Sequence, residues 1–197
     1  MAENLTPVYK IGNETDPAKW SGIVGDAESK YCGPLRTTST WDYEGEGDSD
    51  GGIIADFTAE GYRLPTEAEW EYIAREANSS STIYSGSNTI GDVAWYSVNS
   101  GSKTHEVKTA KAEGIDSKNS LGIYDMSGNV WEWCYDWYGS ISWSTGSAGA
   151  SAGDNRVCRG GSWYDDADSC AVSYRYYSGP NDRSSSIGFR VVRSSSN

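Results

Sequence analysis

The chain has 197 residues, a formal net charge of −12, nine Trp and fourteen Tyr. This length suits one domain with its own core, and the acidic balance argues against binding to nucleic acids or anionic membranes, because phosphate contacts need clustered Lys and Arg. No stretch has the roughly 18 apolar residues of a membrane span and no signal peptide is visible, so we expect a soluble chain without direct membrane insertion and of undefined cellular location.

The first 60 residues give weak patterns. Short strands are predicted at 37–42 and 53–57, on either side of an acidic, Gly-rich turn at 44–52. The turn lacks the ligand spacing and the closing Glu of an EF-hand, so a solvated hairpin is the better interpretation than a calcium loop.

The clearest element is a helix that follows the run Gly61-Tyr-Arg-Leu-Pro. Thr66 at the N-cap and Glu69 three residues later predict a capping box, in which each side chain bonds the backbone N–H of the other residue. The apolar positions that share one helix face are Trp70, Ile73, Ala74 and Ala77. Their spacing predicts packing against a core.

The rest of the chain is rich in loops. Ser, Asn, Gly and Thr dominate 78–120, with one predicted strand at 93–98, and 139–154 is a Gly/Ser/Ala loop. Two further strands, at 157–163 and 187–192, are predicted to frame the C-terminal segment. One helix, short scattered strands and many Trp predict a single α+β domain over 1–197 that is irregular and loop-rich around a Trp-rich core.

A possible calcium site lies around the turn at Gly128-Asn129. The carboxylates of Asp125 and Glu132, with the backbone carbonyls of Gly128 and Val130, would supply the oxygen ligands that Ca²⁺ prefers. The alternative is that the two carboxylates only cap and pair locally.

The C-terminal segment, residues 156–193, has an unusual composition. Of the 23 residues at 164–186, 15 are Tyr, Ser, Asp or Asn, and Lys, Glu, Gln, Met and Trp do not occur. Tyr offers a large contact area with few rotamers, and small polar residues offer adaptable hydrogen bonds, as in binding loops. We therefore predict a solvent-exposed ligand-binding surface. Its candidate residues are Tyr164, Asp165, Asp166, Asp168, Ser169, Tyr174, Tyr176, Tyr177, Ser178, Asn181, Asp182, Ser184, Ser185 and Ser186.

The four cysteines, at positions 32, 134, 158 and 170, contain no CxxC pair, and His105 is the one histidine. A structural zinc site needs four such ligands at close spacing, so the sequence argues against zinc. Buried thiols and a single disulfide both remain open.

Three longer motifs follow one another along the chain. They are Gly-Tyr-Arg-Leu-Pro-Thr-Glu-Ala-Glu-Trp-Glu-Tyr at 61–72, Leu-Gly-Ile-Tyr-Asp-Met-Ser-Gly-Asn-Val-Trp-Glu-Trp at 121–133, and Arg-Gly-Gly-Ser-Trp at 159–163 with Gly-Phe-Arg at 188–190. Together they resemble the formylglycine-generating (sulfatase-modifying) family over about residues 55–192. The resemblance implies a variant of the C-type lectin fold. It also implies a structural calcium ion at Asp125, Gly128, Val130 and Glu132.

The family's enzymes oxidise a substrate cysteine with two copper-binding cysteines. Counted from the Gly-Gly-Ser run, one of these positions falls on Cys170 and the other on Asp165. A carboxylate is a poor ligand for Cu(I), so the resemblance implies that this chain lacks the oxidase chemistry. The family's N-terminal third has no counterpart that the sequence reveals.

The C-terminal composition resembles one subgroup, the variable proteins of diversity-generating retroelements, which use this fold to display a binding surface. Mutagenic copying at the adenines of Asn codons can yield Tyr, Asp, Ser, Gly and Cys. It can never yield Lys, Glu, Gln, Met or Trp, none of which occurs in 164–186. We therefore expect a non-catalytic, receptor-like protein that binds a protein or glycan ligand. The alternatives are a copper-dependent formylglycine-generating oxidase and a catalytically dead accessory paralogue.

Overall fold

The computed structural model describes residues 5–11, 53–110, 116–141, 153–180 and 182–193. The predicted strand at 37–42, the turn at 44–52 and most of the loop at 139–154 lie outside these ranges. The chain divides into two compact units. Unit 1 contains Met1–Arg63, Pro180–Arg183 and Val191–Asn197, and unit 2 contains Leu64–Gly179 and Ser184–Arg190. The prediction of one domain over 1–197 stays a prediction.

Unit 1 contains two short antiparallel strand pairs. Strand β1 (Tyr9–Ile11) pairs with β2 (Ile53–Ala55), and β3 (Tyr62–Arg63) pairs with β8 (Val192–Arg193). The strand predicted at 53–57 is therefore confirmed over its first three residues.

Unit 2 begins with helix α1 (Glu67–Ala74). The capping box is confirmed, since Glu69 N–H donates to Thr66 Oγ1 over 3.2 Å and Thr66 N–H donates to Glu69 Oε2 over 2.8 Å. Trp70 and Ala74 are buried as predicted. Ala77 is exposed, contrary to the prediction, because the helix ends at Ala74 and the backbone has positive φ from residue 76 to 78.

A four-stranded sheet lies at the centre of unit 2. It consists of β4 (Trp131–Trp137), β5 (Arg156–Arg159), β6 (Arg175–Ser178) and β7 (Ile187–Gly188), in the order β6-β5-β4-β7. Strand β5 is antiparallel to both neighbours, and β7 is parallel to β4. Every residue of β5 is buried, whereas β6 forms an edge of the sheet.

The main core of unit 2 packs α1 against this sheet. Its buried side chains are Trp70, Ala74, Met126, Cys134, Val157 and Val172. Trp131 and Trp137 are also buried, which confirms the predicted Trp-rich core.

Three strand predictions differ from the structure. Residues 93–98 form no strand, because Asn99 satisfies the local backbone instead, donating to the Ala94 carbonyl and accepting from Tyr96 N–H. The strand predicted at 157–163 ends at Arg159, where two glycines with positive φ begin a turn. The strand predicted at 187–192 consists of two separate strands, β7 and β8.

The α+β class is confirmed by one helix among short strands and long loops. Among the described residues, no helix has the length and apolar character needed to cross a membrane.

Candidate functional site

The loop after β5 carries the first group of predicted binding residues. Tyr164 is 73% exposed, and Asp166 and Asp168 are also exposed. A 3-10 turn at Ala167–Cys170 closes the loop, and the Ser97 hydroxyl donates to Asp166 Oδ1 over 3.3 Å. The loop thus presents one aromatic ring and two carboxylates to solvent.

Two other predicted residues of this loop are half-buried. The Asp165 carboxylate accepts a hydrogen bond from the Ser162 hydroxyl, and the Asp165 carbonyl accepts one from Ser97 N–H over 3.0 Å. Ser169 N–H donates to the Asp166 carbonyl over 3.1 Å inside the 3-10 turn. Asp165 and Ser169 were predicted to be solvent-exposed, and the structure shows that both are only partly accessible.

Three tyrosines form an array of rings along the edge strand β6. Tyr174, Tyr176 and Tyr177 are 40%, 43% and 46% exposed. Tyr176 stacks on Trp131 with 4.9 Å between ring centroids and on Tyr177 with 5.6 Å. Tyr177 contacts Tyr138 at 4.6 Å, and Tyr174 contacts Trp131 at 6.0 Å. We call the five side chains of Trp131, Tyr138, Tyr174, Tyr176 and Tyr177 the tyrosine array. Trp131 is buried beneath the partly exposed tyrosine rings.

Two tryptophans connect the separate parts of the candidate surface. Trp131 N–H donates to the Ser186 carbonyl over 2.8 Å, and Trp163 Nε1 donates to the Ser185 carbonyl over 3.2 Å. The Trp163 ring also meets the Tyr164 ring edge to face at 5.7 Å. Tyr164, the serines and the tyrosine array are therefore held by contacts to Trp131 and Trp163.

The remaining predicted residues occupy different environments. Ser184 and Ser185 are exposed, and Ser178 is half-buried at the end of β6. Asp182 is exposed in unit 1, and Asn181 lies outside the described residues. The described part of the surface in unit 2 thus includes every predicted residue except these last two.

The four predicted calcium ligands line one cavity of about 430 Å³. Gly128 has φ +76°, and a Cβ there would collide with the carbonyl oxygen of Trp95, so the turn requires glycine. Asp125 Oδ2 accepts from Lys108 N–H over 2.7 Å, while its buried Oδ1 has no hydrogen-bond partner among the described residues. Burial raises the pKa of the Asp125 carboxyl. An orphaned carboxylate oxygen beside a cavity fits a cation.

Glu132, in contrast, already has partners on both carboxylate oxygens. Arg190 Nε donates to Oε2 over 2.5 Å and Nη2 to Oε1 over 2.7 Å, and Trp70 Nε1 donates to Oε2 over 2.7 Å. Arg190 Nη2 also lies 3.2 Å from the carbonyl oxygens of Tyr124 and Asp125. The described residues contain no group of three His, Cys, Asp or Glu side chains around a metal position, so backbone oxygens would have to complete a calcium shell.

Three of the four cysteines are buried and form no disulfide, namely Cys134, Cys158 and Cys170. Burial, helped by the negative charge of Asp165, raises the pKa of Cys170 to about 12. Burial also raises the pKa of Cys134 well above its usual value. The buried-thiol interpretation therefore holds for these three, and Cys32 lies outside the described residues.

Sequence patterns did not identify the residues that support the candidate surface. Tyr138 and Trp131 were not assigned to it, and neither was Arg159, which is fully buried. Arg159 was detectable in principle, because an arginine that is buried in a strand beside Val157 and Cys158 needs an acidic partner. The sequence did not indicate which acidic residue that partner would be.

Comparisons with family models, with curated proteins and with solved structures all point to the same family. A family model described as "Sulfatase-modifying factor enzyme 1-like domain" matches residues 11–195. Chaperone protein LppX of Paenibacillus barcinonensis is 34% identical over 215 residues, which cover 98% of this chain and 63% of LppX. The formylglycine-generating enzyme of Streptomyces coelicolor is 31% identical over 146 residues, covering 67% of this chain and 46% of the enzyme.

Among solved structures, Treponema denticola variable protein 1 is 37% identical, with a TM-score of 0.69 over 95% of this chain and 62% of that protein. This chain therefore spans less than two thirds of the length of each of these three relatives. The likeness confirms the predicted C-type lectin fold of the formylglycine-generating type and the resemblance to a variable protein. The chain belongs to the sulfatase-modifying factor enzyme 1-like family.

Proposed function

We propose that this chain is a non-catalytic, receptor-like protein whose C-terminal segment displays a diversified surface to a protein or glycan ligand. The observation that carries the proposal is the exposure of four tyrosines on one C-terminal segment, from 40% at Tyr174 to 73% at Tyr164. Clustered exposed aromatic side chains on a soluble domain mark interaction sites. Tyrosine also loses little conformational entropy when it binds.

The segment is held by its backbone, whereas many of its side chains are exposed, and this separation supports the proposal. The segment is anchored through backbone atoms, such as the Ser185 and Ser186 carbonyls that accept from two tryptophans. The side chains at 164, 166, 168, 184 and 185 are exposed. Their replacement would change what the surface binds without opening the core.

The residue alphabet supports diversification of this surface. Lys, Glu, Gln, Met and Trp, the five residue types that adenine mutagenesis of Asn codons cannot produce, are all absent from 164–186. The likeness to Treponema denticola variable protein 1 agrees with this interpretation.

The chemistry of two positions argues against oxidase activity. Tight Cu(I) binding needs paired soft thiolates, and this chain has Asp165 where the resemblance would require the partner of Cys170. Cys170 itself is a buried thiol with a pKa of about 12, so it carries no thiolate at neutral pH. We expect no stoichiometric Cu(I) complex that competes with a Cu(I) chelator. A 1:1 complex that Cys170→Ser abolishes would favour the enzyme.

A structural calcium ion belongs to the same proposal. Asp125, Gly128, Val130 and Glu132 would hold it, and the orphaned Asp125 Oδ1 supports this assignment. The ion would fix the turn that precedes β4 and therefore the position of Trp131.

The experiment that tests the proposal is sequencing of the gene with its flanking DNA. We expect a near-copy of the part that encodes 158–193, differing mainly at adenines of the copy. Differences scattered over all four bases, or no copy at all, would count against a diversified surface. In that case the tyrosines would be a fixed binding site or ordinary surface residues.

A further inference from the structure

Strand β6 carries Tyr176 and Tyr177 of the tyrosine array and directly follows Tyr174, but few contacts of its own hold it in place. It is four residues long and lies at an edge of the sheet, where it pairs only with β5 among the described strands. Two paired strands on their own are only marginally stable, so the pairing of β6 with one neighbour needs support from further contacts. Its tyrosines are partly exposed, so they bury less area than core side chains do. The order of this strand must therefore come from other residues.

Arg175, between Tyr174 and Tyr176, makes a two-pronged ion pair with the first residue of α1. Its Nε and Nη2 atoms donate to Glu67 Oε1 and Oε2 over 2.6 and 2.7 Å. A third nitrogen, Nη1, donates to the Gly139 carbonyl over 2.9 Å. A planar guanidinium held at three points fixes both the position and the direction of the strand that carries it.

Arg159 holds the same stretch from the neighbouring strand. It is fully buried and lies opposite Arg175 in the β5–β6 register. Its Nε atom is 3.1 Å from Glu67 Oε1, Nη2 pairs with Glu71, and Nη1 donates to the Tyr174 carbonyl. Glu67, Glu71, Arg159 and Arg175 thus form one cluster of two carboxylates and two guanidinium groups, which we call the ion cluster.

The hydrogen bonds and ion pairs of the ion cluster use no side-chain atom of Tyr174, Tyr176 or Tyr177. Arg175 does lie over the ring of Tyr138, 4.8 Å from its centroid, and Tyr138 is not one of the three tyrosines replaced below. The one atom that Tyr174 supplies is its carbonyl oxygen, which every amino acid has. We infer that the ion cluster positions the backbone of β6, so that the geometry of the surface is independent of the side chains at 174, 176 and 177. The biological use of such a fixed backbone rests on the proposed function, which requires the side chains of the surface to vary. The inference itself concerns only the structure of the protein without a ligand, so it can be tested without one.

Hydrogen exchange of the free protein, followed by mass spectrometry, tests this inference. Arg175→Lys keeps the charge and loses the fork, so exchange at 174–178 should accelerate about tenfold or more beyond any change expected from the global free energy of unfolding. Arg193→Lys is the matched control, because it makes the same change in β8, where Arg193 lies over the Tyr62 ring and is not a member of the ion cluster. It should leave 174–178 unchanged.

The triple variant Tyr174→Ser, Tyr176→Ser, Tyr177→Ser tests the second half of the inference and does not depend on whether Arg175→Lys folds. Beyond any change expected from the global free energy of unfolding, exchange at 175–178 should stay within about threefold of the parent protein. A local acceleration of about tenfold or more at 175–178 in the triple variant, beyond the change in the global free energy of unfolding, would overturn the inference. Uniform acceleration over α1, β4 and β6 in Arg175→Lys would overturn it as well. Because no ligand is used, absence of a DNA copy would contradict the proposed function and leave this result intact.

Discussion

At the scale of single residues, the candidate surface depends on a few buried side chains beneath exposed ones. Trp131 is 4% exposed, and it supports Tyr174 and Tyr176 through ring contacts. The exposed rings can change without loss of the base, because the base is covered by the sheet as well as by the tyrosines. This asymmetry gives the first prediction.

Tyr174→Ser, Tyr176→Ser and Tyr177→Ser, made singly, should each lower the free energy of unfolding by only about 0.5–3 kcal/mol, since each ring takes part in one or two aromatic pairs of about 0.5–1.5 kcal/mol. Trp70→Ala is the contrasting variant, because Trp70 is fully buried and donates to Glu132. It should cost about 3–5 kcal/mol. Urea unfolding measures both, and equal losses would mean that the tyrosines belong to the core.

The buried thiols give a second prediction at this scale. In a Cys32→Ser variant at pH 8, native protein should react with a disulfide reagent at least about 100-fold more slowly than a free thiol, because the pKa of Cys170 is about 12 and that of Cys134 is also raised. Unfolding in urea should restore the normal rate. A fast-reacting native thiol would contradict the assignment of buried, protonated sulfurs.

The same pKa shift has a defined sign for stability. The folded protein holds the Cys170 proton more tightly than the unfolded chain does, so the stabilisation is complete below the unfolded thiol's pKa of about 8.5. It is lost as the pH rises from there towards about 12. Cys170→Ala should make the free energy of unfolding less sensitive to pH in this window.

At the scale of elements, α1 matters because its first turn carries an acidic residue of the ion cluster. The N-cap Thr66 fixes where the helix begins, and Glu67 N–H donates to Asp136 Oδ2 over 2.5 Å. A helix that started one residue later would move the Glu67 carboxylate away from both arginines. The capping box therefore affects a strand more than 100 residues away in the sequence.

Thr66→Ala should lower the free energy of unfolding by about 1 kcal/mol, because one N-terminal N–H loses its side-chain acceptor. Thr104→Ala is the control, since Thr104 is exposed in a loop. We expect its effect to stay within about 0.5 kcal/mol. Chemical denaturation of both variants makes the comparison, and equal effects would show that the cap adds nothing.

At the scale of the whole molecule, the net charge of −12 favours association with cations, and a folded-state calcium site would couple ion binding to global stability. An ion that binds only the folded protein stabilises it by about 2.7 kcal/mol at a concentration 100 times its dissociation constant. The Glu132–Arg190 pair is the competing arrangement of the same carboxylate.

Calcium should therefore raise the melting temperature, and chelation should lower it by several degrees. Asp125→Asn should abolish this dependence, because it removes the orphaned carboxylate oxygen. Asp116→Asn, which alters an exposed pair with Lys118, should retain the dependence. A melting temperature that is unaffected by calcium would mean that Arg190 takes the place of the ion.

The sequence by itself determined the family, the helix with its cap, the Trp-rich core and the exposed character of Tyr164. These features depend on local spacing, such as the Thr66–Glu69 hydrogen bonds, or on motifs that stay together along the chain. Interactions between residues close in the sequence produce recognisable spacings, so they can be predicted from the sequence alone. The strand predicted at 93–98 was wrong because a side chain, that of Asn99, satisfied the backbone there.

Only the tertiary structure decided which distant residues meet. Arg175 pairs with Glu67 across 108 positions of sequence, and Arg190 pairs with Glu132 across 58. The tyrosine array likewise gathers rings from β4, β6 and the chain after β4. The chain has many acidic residues that could pair with each arginine, and the choice is made by strand order and by the cost of leaving a buried charge unpaired. This cost depends on which residues are close in space, and those residues are far apart in the sequence. No regular spacing along the chain therefore indicates the pairs.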